Sequence, residues 1–62
     1  MKLEFDPQAD AAYLELSDAE VETTRQIEPG IVIDYDAAGH IVGIEVLSLS
    51  KRGSSAPIKQ AA

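Results

Sequence analysis

The residues best able to do chemistry crowd into one stretch. Read from Asp34, the run DYDAAGHIVGIE follows part of an EF-hand calcium loop. Asp34 and Asp36 stand at its first and third positions, Gly39 at the sixth, Ile41 at the eighth and Glu45 at the twelfth. Hard carboxylates spaced in this way converge on Ca²⁺. Three features count against that use here. Ala38 removes the oxygen ligand at the fifth position, and neither flank has a helical pattern. An extended strand would also carry Glu45 well beyond the turn, at about 3.3 Å per residue. Asp-x-Asp followed by Gly39 is therefore read as turn chemistry. No metal or other cofactor is expected, and Asp34, Asp36 and Glu45 are the residues that would hold an ion if one bound.

The same carboxylates, near Tyr35 and with His40 at a hairpin tip, could serve as acid and base. Such groups need a pocket that perturbs their pKa values, and a thin sheet has little volume for one. Ser48, Ser50, Ser54 and Ser55 lack the strand–turn–helix setting of a nucleophile. No catalytic residue is assigned. The alternative left open is an enzyme or metal-binding protein built at a dimer seam, where two copies of Asp34, Tyr35 and Glu45 could converge.

The elements that would position these residues are strands. Ile31–Tyr35 and Ile41–Leu47 are rich in Val and Ile, which suit a pleated, half-buried surface. The connector Asp36-Ala37-Ala38-Gly39-His40 has the form of a type I turn closed by a glycine in a G1 bulge. Upstream, Lys2–Phe5 alternates polar and apolar residues, Asp6–Asp10 is a turn around Pro7, and Ala11–Leu16 returns as a second strand. The spacing predicts Asp6 across from Ala11, Phe5 from Ala12, Leu3 from Leu14, Glu4 from Tyr13 and Lys2 from Glu15. A helix over 8–17 is the rival; the alternation of Tyr13-Leu14-Glu15-Leu16 favours strand. After the polar connector Ser17–Glu20, Glu22–Glu28 is a third strand, thin in apolar content and suited to an edge or to an exposed face.

Together these give a mainly β fold: a small antiparallel meander of five short strands in sequential order over residues 1–50. A basic, mobile or weakly helical tail over 51–62 is expected to add little stability. The expected core is Leu3, Phe5, Leu14, Leu16, Ile31, Ile33, Val42, Ile44 and Val46. Turn chemistry in the central hairpin pairs Tyr35 with Ile41, Ile33 with Gly43 and Val32 with Ile44. That register leaves both faces apolar and lets Tyr35 lie over Gly43. A shift of one residue would instead gather Ile31, Ile33, Tyr35, Val42, Ile44 and Val46 on one face.

A core below roughly 70–80 residues rarely supplies more than about 3–5 kcal/mol, so such chains usually carry a staple. The absence of cysteine excludes disulfides and thiolate zinc sites, and one histidine leaves no ordinary zinc site. Self-association or a partner protein remains. A homodimer is expected, with Ile31, Ile33, Tyr35, Ile41, Gly43 and Leu47 as the interaction surface. Residues 1–50 hold all eleven acids against Lys2 and Arg25, while 51–62 hold Lys51, Arg52 and Lys59 with no acid. An acidic body repels phosphates, so nucleic-acid binding is not expected, whereas a basic protein partner would be attracted. Lys2-Leu3-Glu4-Phe5-Asp6 does not resemble a signal peptide and no run reaches a membrane span. A soluble, cytoplasmic protein is expected.

Phe5-Asp6-Pro7-Gln8-Ala9-Asp10-Ala11-Ala12-Tyr13-Leu14-Glu15-Leu16-Ser17-Asp18, then Ile31–Asp36, Gly39 and Ile41–Leu47, resembles the bacterial family called domain of unknown function 2283. The likeness spans residues 2–50. It implies a short, β-rich, single-domain protein without an assigned activity, in a family some of whose members are suspected of acting as antitoxin-like partners of small toxin-like proteins. Ala37-Ala38 stand where family loops are often acidic. Relatives tend to continue into a helix after the last strand, which Gly53 and Pro57 would cut short here.

Overall fold

Five strands, three of their four connections tight turns, make up the computed structural model, which describes residues 1–52. They are β1 (Lys2–Asp6), β2 (Ala11–Glu15), β3 (Thr23–Glu28), β4 (Ile31–Tyr35) and β5 (Ile41–Val46), followed by one helical turn, α1 (Leu49–Arg52). The part of the expected tail from 53 to 62 lies outside the described residues. All neighbouring strands are antiparallel in one sheet. The fold class is mainly β, as expected. Among the described residues no helix is long and apolar enough to cross a membrane.

The first hairpin forms as its spacing predicts. Lys2 lies opposite Glu15, Leu3 opposite Leu14, Glu4 opposite Tyr13, Phe5 opposite Ala12 and Asp6 opposite Ala11. Asp6 Oδ1 accepts the backbone N–H groups of Gln8 (3.1 Å) and Ala9 (3.2 Å), the Asx geometry that lets a short acid replace a backbone partner. The rival helix over 8–17 does not form; β2 occupies its centre.

The strand order is β1-β2-β5-β4-β3, not sequential. β2 pairs with β5, and the connection after β2 carries the chain past β5 and β4 to the far edge, a Greek-key arrangement. Leu16 and Ser17 N–H both donate to the Val42 carbonyl (2.7 and 3.2 Å), and Glu22 N–H donates to Tyr35 O (2.7 Å). The connector therefore tracks the end of the sheet. The reason lies in composition. A meander would seat TTRQIE in mid-sheet, whereas the observed order leaves all six of those residues exposed at an edge. It puts IVGIEV in the centre instead.

The central hairpin departs from the expected register. Asp36 N–H donates to His40 O (2.9 Å), Gly39 N–H donates to Asp36 O (3.0 Å) and Gly39 has φ +87°, so the turn is the one predicted. Tyr35 lies opposite Ile41 as expected, but the next pairs are Asp34 with Gly43 and Ile33 with Ile44. Val42 is the extra residue of a bulge. A one-residue slip moves every side chain to the other face, and the bulge absorbs that slip in a single step. Turn chemistry and face segregation are both satisfied. Leu3, Phe5, Ala12, Leu14, Ile31, Ile33, Ile44 and Val46 then share one face. The other carries Lys2, Glu4, Tyr13, Glu15, Thr24, Val32, Asp34, Gly43 and Glu45. The expectation of two apolar faces fails: only one is apolar.

Ala11, Ile33 and Val42 are the buried apolar side chains and Gly43 is buried beside Val42, while Leu3, Phe5 and Leu16 of the expected core are exposed. At the end of β5 the chain turns through Ser48 (φ +54°) into α1. Asp10, itself at φ +56°, holds α1 through its carboxylate, which accepts Ser50 N–H (3.0 Å) and Ser50 Oγ–H (2.8 Å). The Arg52 guanidinium donates to Leu47 O (3.3 Å) and Pro29 O and lies 3.6 Å from Glu28. Lys51 and Arg52, assigned to a tail on sequence, belong to this docked turn.

Candidate functional site

The polar face is organised across three strands. Tyr13 on β2 lies over Gly43 on β5, and its hydroxyl donates to Asp34 Oδ2 on β4 (2.8 Å). Thr24 Oγ1 on β3 donates to Asp34 Oδ1 (2.7 Å). Asp34 thus accepts one hydroxyl on each carboxylate oxygen. A Cβ at position 43 would overlap the Tyr13 hydroxyl and ring, so the missing side chain of Gly43 is what lets the phenol cross β5. The sequence expectation that Tyr35 covers Gly43 is corrected: Tyr35 stands on the opposite face and Tyr13 covers the bare backbone.

The hydrogen bond to the Asp34 carboxylate is the largest cause holding the Tyr13 hydroxyl proton. Desolvation and the charges of Asp34, Glu15 and Glu45 add to it, and the pKa is pushed up from 10.0 to about 12. Tyr13 is thereby a donor at any physiological pH and a poor base. Glu4, Asp6, Ala11, Tyr13 and Glu45 also line an open depression of about 490 Å³ at the β1 side of this face. Phe5, Ala9 and Ala12 complete its lining, so three carboxylates and a phenol share the walls with small and aromatic apolar side chains.

The candidate ion ligands are not brought together. Asp34 is engaged by Tyr13 and Thr24. Asp36 Oδ1 accepts Ala38 N–H (2.9 Å) and His40 N–H (2.8 Å), which makes it a structural part of the turn. The His40 ring, largely exposed, lies 3.9 Å from Asp36 Oδ2. Glu45 sits opposite Val32 and Tyr13, away from that turn. Among the described residues no group of three or more His, Cys, Asp or Glu side chains could hold a metal. The seam imagined from two copies of Asp34, Tyr35 and Glu45 also loses a member, because Tyr35 points away from Asp34 and Glu45.

Of the expected interaction surface, Ile31, Ile33 and Tyr35 share the apolar face, Ile41 stands exposed beside the bulge and Gly43 lies beneath Tyr13 on the polar face. Leu47 follows β5, with its N–H donated to Gly30 O (2.8 Å). Sequence reasoning missed Tyr13 and Thr24 as partners of Asp34. The one signal that could have found them was Gly43, since a glycine inside a strand often marks a close approach.

Residues 2–50 match the model of the family described as protein of unknown function (DUF2283). Neither the curated proteins nor the solved structures give a match. With all five strands of the sheet inside the matched span, the chain belongs to the DUF2283 family.

Proposed function

We propose that the protein is a non-catalytic interaction module that self-associates through the apolar face of its sheet and offers the acidic face to a basic protein partner. The observation that carries this reading is the incompletely covered apolar face, on which only Ile33 is buried. Leu3, Phe5, Leu14, Ile31, Ile44 and Val46 lie on one side of a single layer, and none of them is buried within the chain. A sheet normally buries such a face against a second layer, and a second copy is the simplest source of one. On the other face Tyr13 and Thr24 are committed to Asp34, which supports a structural use of the phenol over a catalytic one. The remaining acids, Glu4, Glu15 and Glu45, suit steering of a basic surface. In that role the chain would be the acidic half of an antitoxin-like pair.

Sedimentation of the pure protein tests the first half. A dimer that Leu14→Asp converts to a folded monomer is the expected result. A wild-type chain that stays monomeric at high micromolar concentration with an intact sheet would overturn it. For the second half, Glu45→Lys should slow association with a basic partner and weaken its dependence on salt. Equal loss of binding at low and high salt would point to apolar contacts instead.

A further inference from the structure

Among the described large apolar residues the three most exposed are Met1 (91%), Leu3 (70%) and Phe5 (62%), at alternate positions of one edge. Leu3 and Phe5 lie on the apolar face of β1, and Met1 continues their period. The two sheet edges are built differently. β3 is broken by a bulge at Ile27, a device that blunts edge pairing. β1 is regular along all five of its paired positions and contains no proline. On the polar side of the same edge the sequence runs Lys2, Glu4, Asp6, with Lys2 Nζ 3.3 Å from Glu4 Oε2.

We propose that β1 pairs antiparallel with β1 of a second copy, across a two-fold axis at Leu3, so that two sheets continue into one. Residues that face each other in such a pair must share a face, which leaves few registers. Centring on Glu4 sets it against the partner's Glu4, and centring on Phe5 sets Glu4 against the partner's Asp6. Both place like charges in direct opposition, which destabilises a sheet. Centring on Leu3 does neither. Each Lys2 then faces the partner's Glu4, Leu3 faces the partner's Leu3 and Met1 faces the partner's Phe5. Charges alternate in sign across the seam on the polar side, and the three most exposed apolar residues close over it on the other. This is a backbone edge contact that shares Leu3 and Phe5 with the face-to-face pairing of the proposed function, but Lys2 and Glu4, on which its register depends, project away from that face.

The test is a charge swap read by sedimentation equilibrium and native mass spectrometry. Lys2→Glu and Glu4→Lys each give a homotypic seam of like charges and should weaken edge association on the order of tenfold or more. Mixed in equal amounts, the two variants oppose Glu to Lys at every charged position. The heterotypic species should recover the wild-type assembly. Within each variant chain positions 2 and 4 carry like charges, so recovery on mixing can come only from the contact between chains. Circular dichroism of the single variants confirms an intact sheet, which is expected because both side chains are exposed. Wild-type-like assembly of either folded variant alone, or no recovery on mixing, would overturn the proposal. Leu14→Asp separates the two surfaces. Edge association that survives it while face pairing is lost supports an independent edge contact; loss of the charge-sensitive step in folded Leu14→Asp overturns that independence.

Discussion

Gly43 and Tyr13 form a unit in which an absent side chain makes room for a distant one. Gly43→Ala should destabilise the sheet by about 1–3 kcal/mol, the usual cost of overpacking, read as a lower urea midpoint at unchanged slope. The double variant Gly43→Ala with Tyr13→Ala should recover part of that loss, because the clash is gone. The Tyr13 proton offers a second readout. Its folded pKa, raised to about 12, lies above the unfolded value of 10.0. The stabilisation from this proton is therefore complete below pH 10 and is lost as pH rises through 12. Tyrosinate absorbance should show a late-titrating component that vanishes in Tyr13→Phe and moves towards lower pH in Asp34→Asn. A component unchanged in Tyr13→Phe would assign it elsewhere. None of this pairing was legible from spacing, because Tyr13 and Asp34 meet only once β2 lies beside β5.

At the scale of elements, local chemistry was legible and long-range order was not. Asp6-Pro7 and Asp36…Gly39 each fix a turn through their own side chains and backbone, so both hairpins follow from adjacent residues. The place of β3 needed a comparison between strands. Its Thr, Arg, Gln and Glu suited either an edge or an exposed face, and a sequential meander, whose third strand is central, allows only the second. The bulge at Val42 was hidden for another reason: turn chemistry and face segregation each demanded a different register, and only an extra residue satisfies both. The docking of α1 through Asp10 joins residues 40 apart in sequence. It predicts an order among substitutions. Asp10→Ala removes the carboxylate bonds to Ser50 and must still adopt φ +56°, and should cost about 1–2 kcal/mol. Asp10→Gly loses the same bonds but accepts the backbone, and should cost less. An Ala variant more stable than the Gly variant in urea would show that the backbone conformation at position 10 is not retained.

The described residues form one layer of sheet with a single helical turn at its end, and a layer has two sides to satisfy. Its polar side is satisfied by water and by the hydrogen bonds around Asp34. Among the described residues its apolar side is only partly covered, with Ile33 buried but Leu3 and Phe5 exposed, and no disulfide supplies a further constraint, since the sequence has no cysteine. A net charge of −6 adds mild self-repulsion that favours expansion over compaction. These conditions tie folding to association. If the native state is assembled and the unfolded state is not, mass action raises stability with protein concentration. A hundredfold rise in free partner above Kd contributes about 2.7 kcal/mol, enough in so short a chain to raise the melting temperature by well over ten degrees. Thermal unfolding across such a concentration range should therefore show a steadily rising Tm, and Leu14→Asp should remove most of the rise. Added salt should raise Tm further by screening the acidic bodies from one another. A Tm independent of concentration would mean that the single layer is stable alone, and the apolar face would then lose its claim as the surface on which copies meet.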